Sequence, residues 1–144
     1  MGATRQLTRG RLPVSDDGAI RDLLARYALA LDTDDIDRCL DLFTDDGEFV
    51  VFGREFNGRD QIRAMFESAP RGLHLTGVSS IEVSGDAATA RSQVLLVEAG
   101  TMQLRPALFD DELSRDATRW RFRRRRCRFI TSGGLGDRPE VPSS

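Results

Sequence analysis

An α+β fold, with helices gathered on one face of a curved antiparallel sheet, is the architecture this 144-residue sequence predicts. Two observations point to it. Apolar residues recur at helical spacing in three short segments before residue 70, and long stretches of strand character follow Pro70. Turn-forming Asp and Gly pairs punctuate the boundaries.

The elements follow in order. Ser15 or Asp16 can cap a first helix in which Ile20, Leu23, Leu24, Tyr27, Ala28 and Leu31 keep helical spacing. Thr33 or Asp34 can cap a short second helix carrying Ile36, Cys39, Leu40 and Phe43 on one side. Asp45-Asp46-Gly47 turns the chain into a strand over 48–52, and Gly53-Arg54 reads as a hairpin turn before a brief strand at Glu55-Phe56. Asn57-Gly58 leads into a third helix over about 59–69 with Ile62, Met65 and Phe66 as its apolar stripe. Strand pieces at 73–76 and 80–83 are separated by a break near Gly77. Longer strands are expected over 87–98, 104–115 and 119–130.

The length suits one domain, whose core should bury roughly two-thirds of the unfolded chain's surface. Residues 1–14 lack periodicity and read as a loose arm; 131–144, rich in Gly, Pro and Ser, read as a disordered tail; 15–130 is the folded unit. No apolar run nears the ~18 residues that span a bilayer, and no apolar stretch follows the basic start. A cytoplasmic protein without a membrane partner is the expectation. All 21 basic residues are Arg, and the net charge is −2, which disfavours a dedicated nucleic-acid binder. Cys39 and Cys127 match no metal spacing and read as small buried hydrophobes.

Few side chains could carry chemistry. His74, the single histidine, titrates near neutrality and stands in an apolar strand, where a half-exposed or packed imidazole is the plainer reading. Asp32 ends the first helix, where the helix dipole disfavours negative charge and would make the carboxylate a better base; a solvated loop acid is the alternative. The acidic stretch 32–37 lacks the glycine and the closing Glu of a calcium loop. Tyr27, the single tyrosine, lies on the apolar helix face, and its phenol needs a hydrogen-bond partner if buried. The run Arg121 to Arg128 places arginines on both faces of a strand, either to contact anions or to cover apolar surface and pair with neighbouring carboxylates. No phosphate loop, Cys/His metal set or nucleophile elbow is present, and no cofactor is expected.

The stretches 17–32, 37–47 and 57–62, followed by Leu73-His74-Leu75-Thr76, 85–90 and Trp120-Arg121-Phe122, resemble in order the SnoaL-like proteins of the nuclear-transport-factor-like superfamily, which includes scytalone dehydratase and bile-acid dehydratases. The resemblance covers about residues 15–130. It implies a conical barrel whose curved antiparallel sheet wraps three helices around a deep pocket. It also implies catalytic roles for Tyr27, Asp32 and His74, which match the family's Tyr, Asp and His one by one, with Phe49, Phe52, Phe66, Leu96, Phe109 and Asp111 as substrate-binding positions. Five helical residues rotate about 140°, so Tyr27 and Asp32 share no face unless the helix ends near Asp32. Phe52 stands where such dehydratases carry a second tyrosine, and Leu96 near a polar position, so the pocket is expected to be greasy.

The implied function is a cofactor-free lyase, isomerase or cyclase with dehydratase-like acid–base chemistry on a hydrophobic cyclic or polyketide-like molecule. The alternatives are a non-catalytic small-ligand carrier and a dioxygenase β-like subunit. A homodimer or homotrimer is expected from the large outer sheet face, with neither nucleic acid nor membrane as partner.

Overall fold

The computed structural model describes residues 15–117 and 119–142. The arm expected over 1–14 lies outside the described residues. In chain order the elements are α1 (Asp16–Asp32), α2 (Ile36–Leu40), β1 (Phe43–Val51), β2 (Arg54–Asn57), α3 (Gly58–Ser68), β3 (Gly72–Ser84), β4 (Ala87–Glu98), β5 (Leu104–Arg115), β6 (Trp120–Thr131) and β7 (Gly134–Gly136).

Helix α1 begins where the Ser15 hydroxyl accepts the Gly18 N–H at 3.0 Å, satisfying one of the orphan donors of the first turn. Its N-terminus is tied to the sheet, because Asp16 accepts from Trp120 Nε1 at 3.1 Å and from Arg115 at 2.7 Å. At the other end the Thr33 N–H donates to the Leu29 carbonyl, and Asp34 at φ 61° turns the chain away. The side-chain cap of α2 is Asp35, one or two residues later than expected, accepting from the Arg38 N–H at 3.2 Å.

The strands order as β2-β1-β6-β5-β4-β3, with β7 also on β6. The pairing is antiparallel except between β1 and β6, which run parallel. The sheet is curved but does not close, since β2 and β3 remain its two edges among the described residues. The expected barrel is therefore an open one.

Four details differ from the sequence reading. Phe43, expected on α2, begins β1, and the stretch 45–47, expected as a turn, lies within that strand, where its register against β6 shifts between Phe43 and Glu48. The hairpin between β1 and β2 turns on Phe52-Gly53, with Val51 opposite Arg54 and positive φ at both turn residues (57° and 69°). That is the geometry a two-residue primed turn requires. The two strand pieces around Gly77 are one strand, β3, whose register against β4 shifts between Thr76 and Ser79. Finally, β7 lies inside the stretch expected to be a disordered tail, pairing Phe129 with Gly136 and Thr131 with Gly134.

Alternation along the strands sorts each side chain to the helices or to the outer face. Inward go Val94 and Leu96 of β4, Ala107, Phe109 and Leu113 of β5, and Phe122, Cys127 and Phe129 of β6. They meet Ile20, Leu23, Leu24 and Tyr27 of α1, Cys39 and Leu40 of α2, and Ile62, Met65 and Phe66 of α3. Phe43 and Phe122, both fully buried, pack with their rings tilted by 40° and centroids 5.2 Å apart. Truncating either to Ala would cost about 3–5 kcal/mol.

Strands β3 and β4 approach closely at Gly72, where an added Cβ would lie 2.1 Å from the Val97 carbonyl oxygen. Only glycine permits this contact, and it anchors the beginning of β3 two residues before His74.

Candidate functional site

Between α1, α3 and the inner face of the sheet lies a cavity of about 130 Å³. Its wall is largely apolar: Leu31, Phe49, Val51, Phe52, Met65, Phe66, Leu96, Phe109, Cys127 and Phe129 contribute. Tyr27 and His74 also line it, and Asp34, Arg71, Glu98 and Arg105 add charge.

The polar centre is His74 with Asp32. One carboxylate oxygen of Asp32, Oδ1, accepts from both the His74 backbone N–H at 2.9 Å and the ring Nδ1 at 2.7 Å. The second contact assigns the tautomer: with a proton on Nδ1, the other ring nitrogen, Nε2, is left as an acceptor. This double contact arises from the local chain. Asp32 is the last residue of α1, so its side chain can reach past the helix end. His74 sits on edge strand β3, whose N–H has no further strand to pair with on that side. Both side chains are mostly buried, at 19% and 16% exposure for His74 and Asp32.

Burial lowers His74 below its ordinary value of 6.5, against the Asp32 hydrogen bond and charge, which raise it; the charge of Arg125 lowers it further. The neutral imidazole, the form able to take a proton, is therefore the resting form at neutrality.

Tyr27 does not share a helix face with Asp32, yet both meet His74. The phenol ring stands edge-on to the imidazole, with centroids 6.2 Å apart at 90°. The helix runs through Asp32 and ends at Thr33, so no unwinding before Asp32 is needed. Desolvation raises the Tyr27 hydroxyl well above its ordinary value, partly opposed by Arg125, so the phenol is a proton donor across the neutral range.

Phe49, Phe52, Phe66, Leu96 and Phe109 line the cavity. Asp111, also expected among the substrate-binding residues, does not line it. It points inward from β5 but is stacked deeper, opposite Arg125 of β6, with Arg125 Nε 3.5 Å from Asp111 Oδ1. Its side chain has no exposure and that of Arg125 has 1%. The Arg125 guanidinium also lies 4.2 Å from the Tyr27 ring centroid, 4.4 Å from Phe109 and 4.7 Å from Phe122. Burial outweighs the pull of Arg125 and pushes the Asp111 carboxyl up to about 6.

Arg125 was concealed inside the arginine run, although its phase was available: it shares the odd-numbered positions of β6 with inward Cys127 and Phe129. Several other arginines of the run pair with carboxylates. Arg124 meets Glu48, Arg128 meets Asp110, and Arg123 meets Glu112. Two further residues went unread in the sequence, Glu98 and Arg105, whose ion pair at 2.8 Å stands at the cavity. Among the described residues, no group of three or more His, Cys, Asp or Glu side chains converges to hold a metal ion, and no helix is long and apolar enough to cross a membrane.

The fold and this arrangement define a class. The sequence profile of the SnoaL-like domain matches residues 13–126, and the chain belongs to that family. Among solved structures it is similar to a protein of unknown function from Mycobacterium tuberculosis, with 32% identity, a TM-score of 0.71, and coverage of 77% of this chain and 69% of that one. It is also similar to a protein of unknown function with a cystatin-like fold from Nostoc punctiforme (24% identity, TM-score 0.74, 81% and 92% covered). A third is a hexachlorocyclohexane dehydrochlorinase from Novosphingobium barchaimii (22% identity, TM-score 0.71, 88% and 94% covered). The last two likenesses show a shared fold. No curated protein matches the chain.

Proposed function

We propose that this protein is a cofactor-free lyase, isomerase or cyclase working by acid–base chemistry on a hydrophobic cyclic or polyketide-like molecule. The observation that carries the proposal is the His74 ring on the cavity wall with Nδ1 held 2.7 Å from Asp32. In this reading Nε2 takes a proton from carbon next to a carbonyl, or, once protonated, returns it to a departing hydroxyl. Asp32 fixes the tautomer and stabilises the imidazolium that forms. Tyr27 donates to the substrate oxygen on which charge develops. The apolar wall excludes water, which strengthens each of these interactions.

A carrier using the same cavity is the second reading, favoured by Phe52 and Leu96, which bring no polar atom to the lining. The Asp32–His74 contact supports catalysis over carriage, because a carrier has no need of an oriented imidazole. We propose a cytoplasmic setting and a homodimer or homotrimer assembled through the outer sheet face, where Leu73, Leu75 and Leu104 are 47%, 54% and 59% exposed.

The test is turnover of a cyclic ketone or β-hydroxy carbonyl substrate found by screening. His74→Ala and Asp32→Asn should each lower it at least about 100-fold, the usual scale for a positioned acid or base. Unchanged turnover in both variants would refute the assignment.

A further inference from the structure

Apart from the His74 centre, the cavity has one more buried polar feature, the pair Glu98–Arg105. Arg105 Nη2 lies 2.8 Å from Glu98 Oε2, and the two side chains are 23% and 21% exposed. The only other arginine on the cavity wall, Arg71, is 73% exposed and paired with Asp34. Within the Glu98–Arg105 pair, the contact lacks hydrogen-bond alignment. Arg105 Nε and Glu98 Oε2 are both buried with no hydrogen-bond partner. A buried Nε with an unmet donor is costly even on a partly exposed side chain, and buried polar atoms of native proteins are normally satisfied.

Register fixes where this group stands. His74 pairs with Leu96, and Leu96 pairs with Arg105, so the three lie side by side across β3, β4 and β5 on the inner face. Two strand spacings separate the backbones of His74 and Arg105 by roughly 9–10 Å. Leu96 forms the apolar floor between them. A cavity of about 130 Å³ is close to the size that holds a single benzene ring.

We propose that Arg105 is a carboxylate-binding, specificity-determining residue, and that the substrate is a monocyclic carboxylic acid whose ring rests on Leu96 between Arg105 and His74. This deepens the acid–base reading given above and rests on it. Two asymmetries select an anion over a cation. Arginine stays charged at every physiological pH and offers a planar fork that matches a carboxylate. Glu98 ends β4 beside the exposed Ala99-Gly100 turn, so it can withdraw toward solvent when an incoming carboxylate takes its place. Arg105, the second residue of β5, stays in register with Leu96 of β4.

The experiment is isothermal titration calorimetry of the full chain with cyclohex-1-ene-1-carboxylate and its uncharged amide. The wild type should bind the acid roughly tenfold or more tighter than the amide, as a charge-assisted contact implies. Arg105→Gln should bring the acid down to the affinity of the amide while leaving the amide unchanged. Glu98→Gln, which removes the competing carboxylate, should tighten the acid. Arg105→Lys keeps the charge without the fork and should retain a reduced preference, which guards against a folding defect in the Gln variant. Equal binding of acid and amide, an acid preference that survives in Arg105→Gln, or no binding of either ring would overturn the proposal. His74→Ala should keep the acid preference. Its turnover therefore judges the acid–base reading independently of this one.

Discussion

Arg125 rests its guanidinium 4.2 Å from the centre of the Tyr27 ring while its Nε faces Asp111 Oδ1 at 3.5 Å, a fully buried charge pair directly behind the aromatic wall of the cavity. The pair couples the deepest part of the sheet to the helix that carries Tyr27 and Asp32. A guanidinium desolvated over aromatic faces gains about 2 kcal/mol from the ring quadrupoles, which helps offset its burial.

Breaking that pair from one side should be costly. Arg125→Met leaves Asp111 alone in the core and should reduce unfolding free energy by about 3–5 kcal/mol, whereas Arg125→Met combined with Asp111→Leu should recover most of the loss. Urea denaturation of the two variants and the wild type reads this directly. The same pair imposes a pH signature. The Asp111 value rises on folding from 3.8 to about 6. Its favourable contribution is therefore fully present below 3.8 and is lost as pH rises to about 6, amounting to about 3 kcal/mol. Across that window the stability of wild type relative to Asp111→Asn should fall as pH increases, then level off.

The acid limb of the rate profile should report His74. Because burial holds its value below 6.5, turnover should stay level down through 6.5 and decline only at lower pH. Asp32 raises that value through its hydrogen bond and charge. In Asp32→Asn, the imidazole should accordingly titrate at still lower pH than in the wild type, which nitrogen-15 chemical shifts of the ring would reveal even where turnover is lost.

Phe52 combines a left-handed backbone (φ 57°) with a place on the cavity wall. Its ring stacks on Phe129, with centroids 5.7 Å apart. Phe52→Asn should relieve about 1–2 kcal/mol of backbone strain and lose a comparable amount of packing, leaving thermal stability nearly unchanged. Affinity for apolar ring ligands should nevertheless drop roughly tenfold with the wall opened. A change in melting temperature without a change in ligand affinity would contradict this division of roles.

The outer face of the sheet offers a further check. Leu75, 54% exposed on β3, stands in register with Leu95 of β4, and Leu95 with Pro106 of β5. Leu75→Asp should shift the protein to a smaller species in light scattering while leaving its circular dichroism unchanged. A wild type that is already monomeric would refute assembly through this face.

The elements were readable because their local signals agree with the packing. Ile20, Leu23, Leu24 and Tyr27 follow helical spacing and are buried together. Tyr27, Asp32 and His74 could be singled out because each is chemically distinctive, and the first two sit on a well-marked helix. Arg125 and Arg105 could not, since arginine is everywhere in this sequence and only strand register separates an inward guanidinium from its exposed neighbours. Asp111, whose substrate-binding place the family resemblance implies, shows the same limit. Alternation fixes the side of the sheet it faces, but depth along the strand depends on sheet curvature. The turn falls at Phe52-Gly53, one residue before the Gly53-Arg54 that local preference favours, because a phenylalanine with positive φ runs against that preference.

Gly72 imposes a limit on mutational drift. Any side chain there would strike the Val97 carbonyl, and the strand that carries His74 begins at this contact. In a saturation library screened only for soluble, folded protein, position 72 should return glycine alone, whereas exposed Leu73 beside it should tolerate wide exchange. The neighbourhood of the proposed base can thus be remodelled residue by residue, provided that this one crossing of two backbones is left as it is.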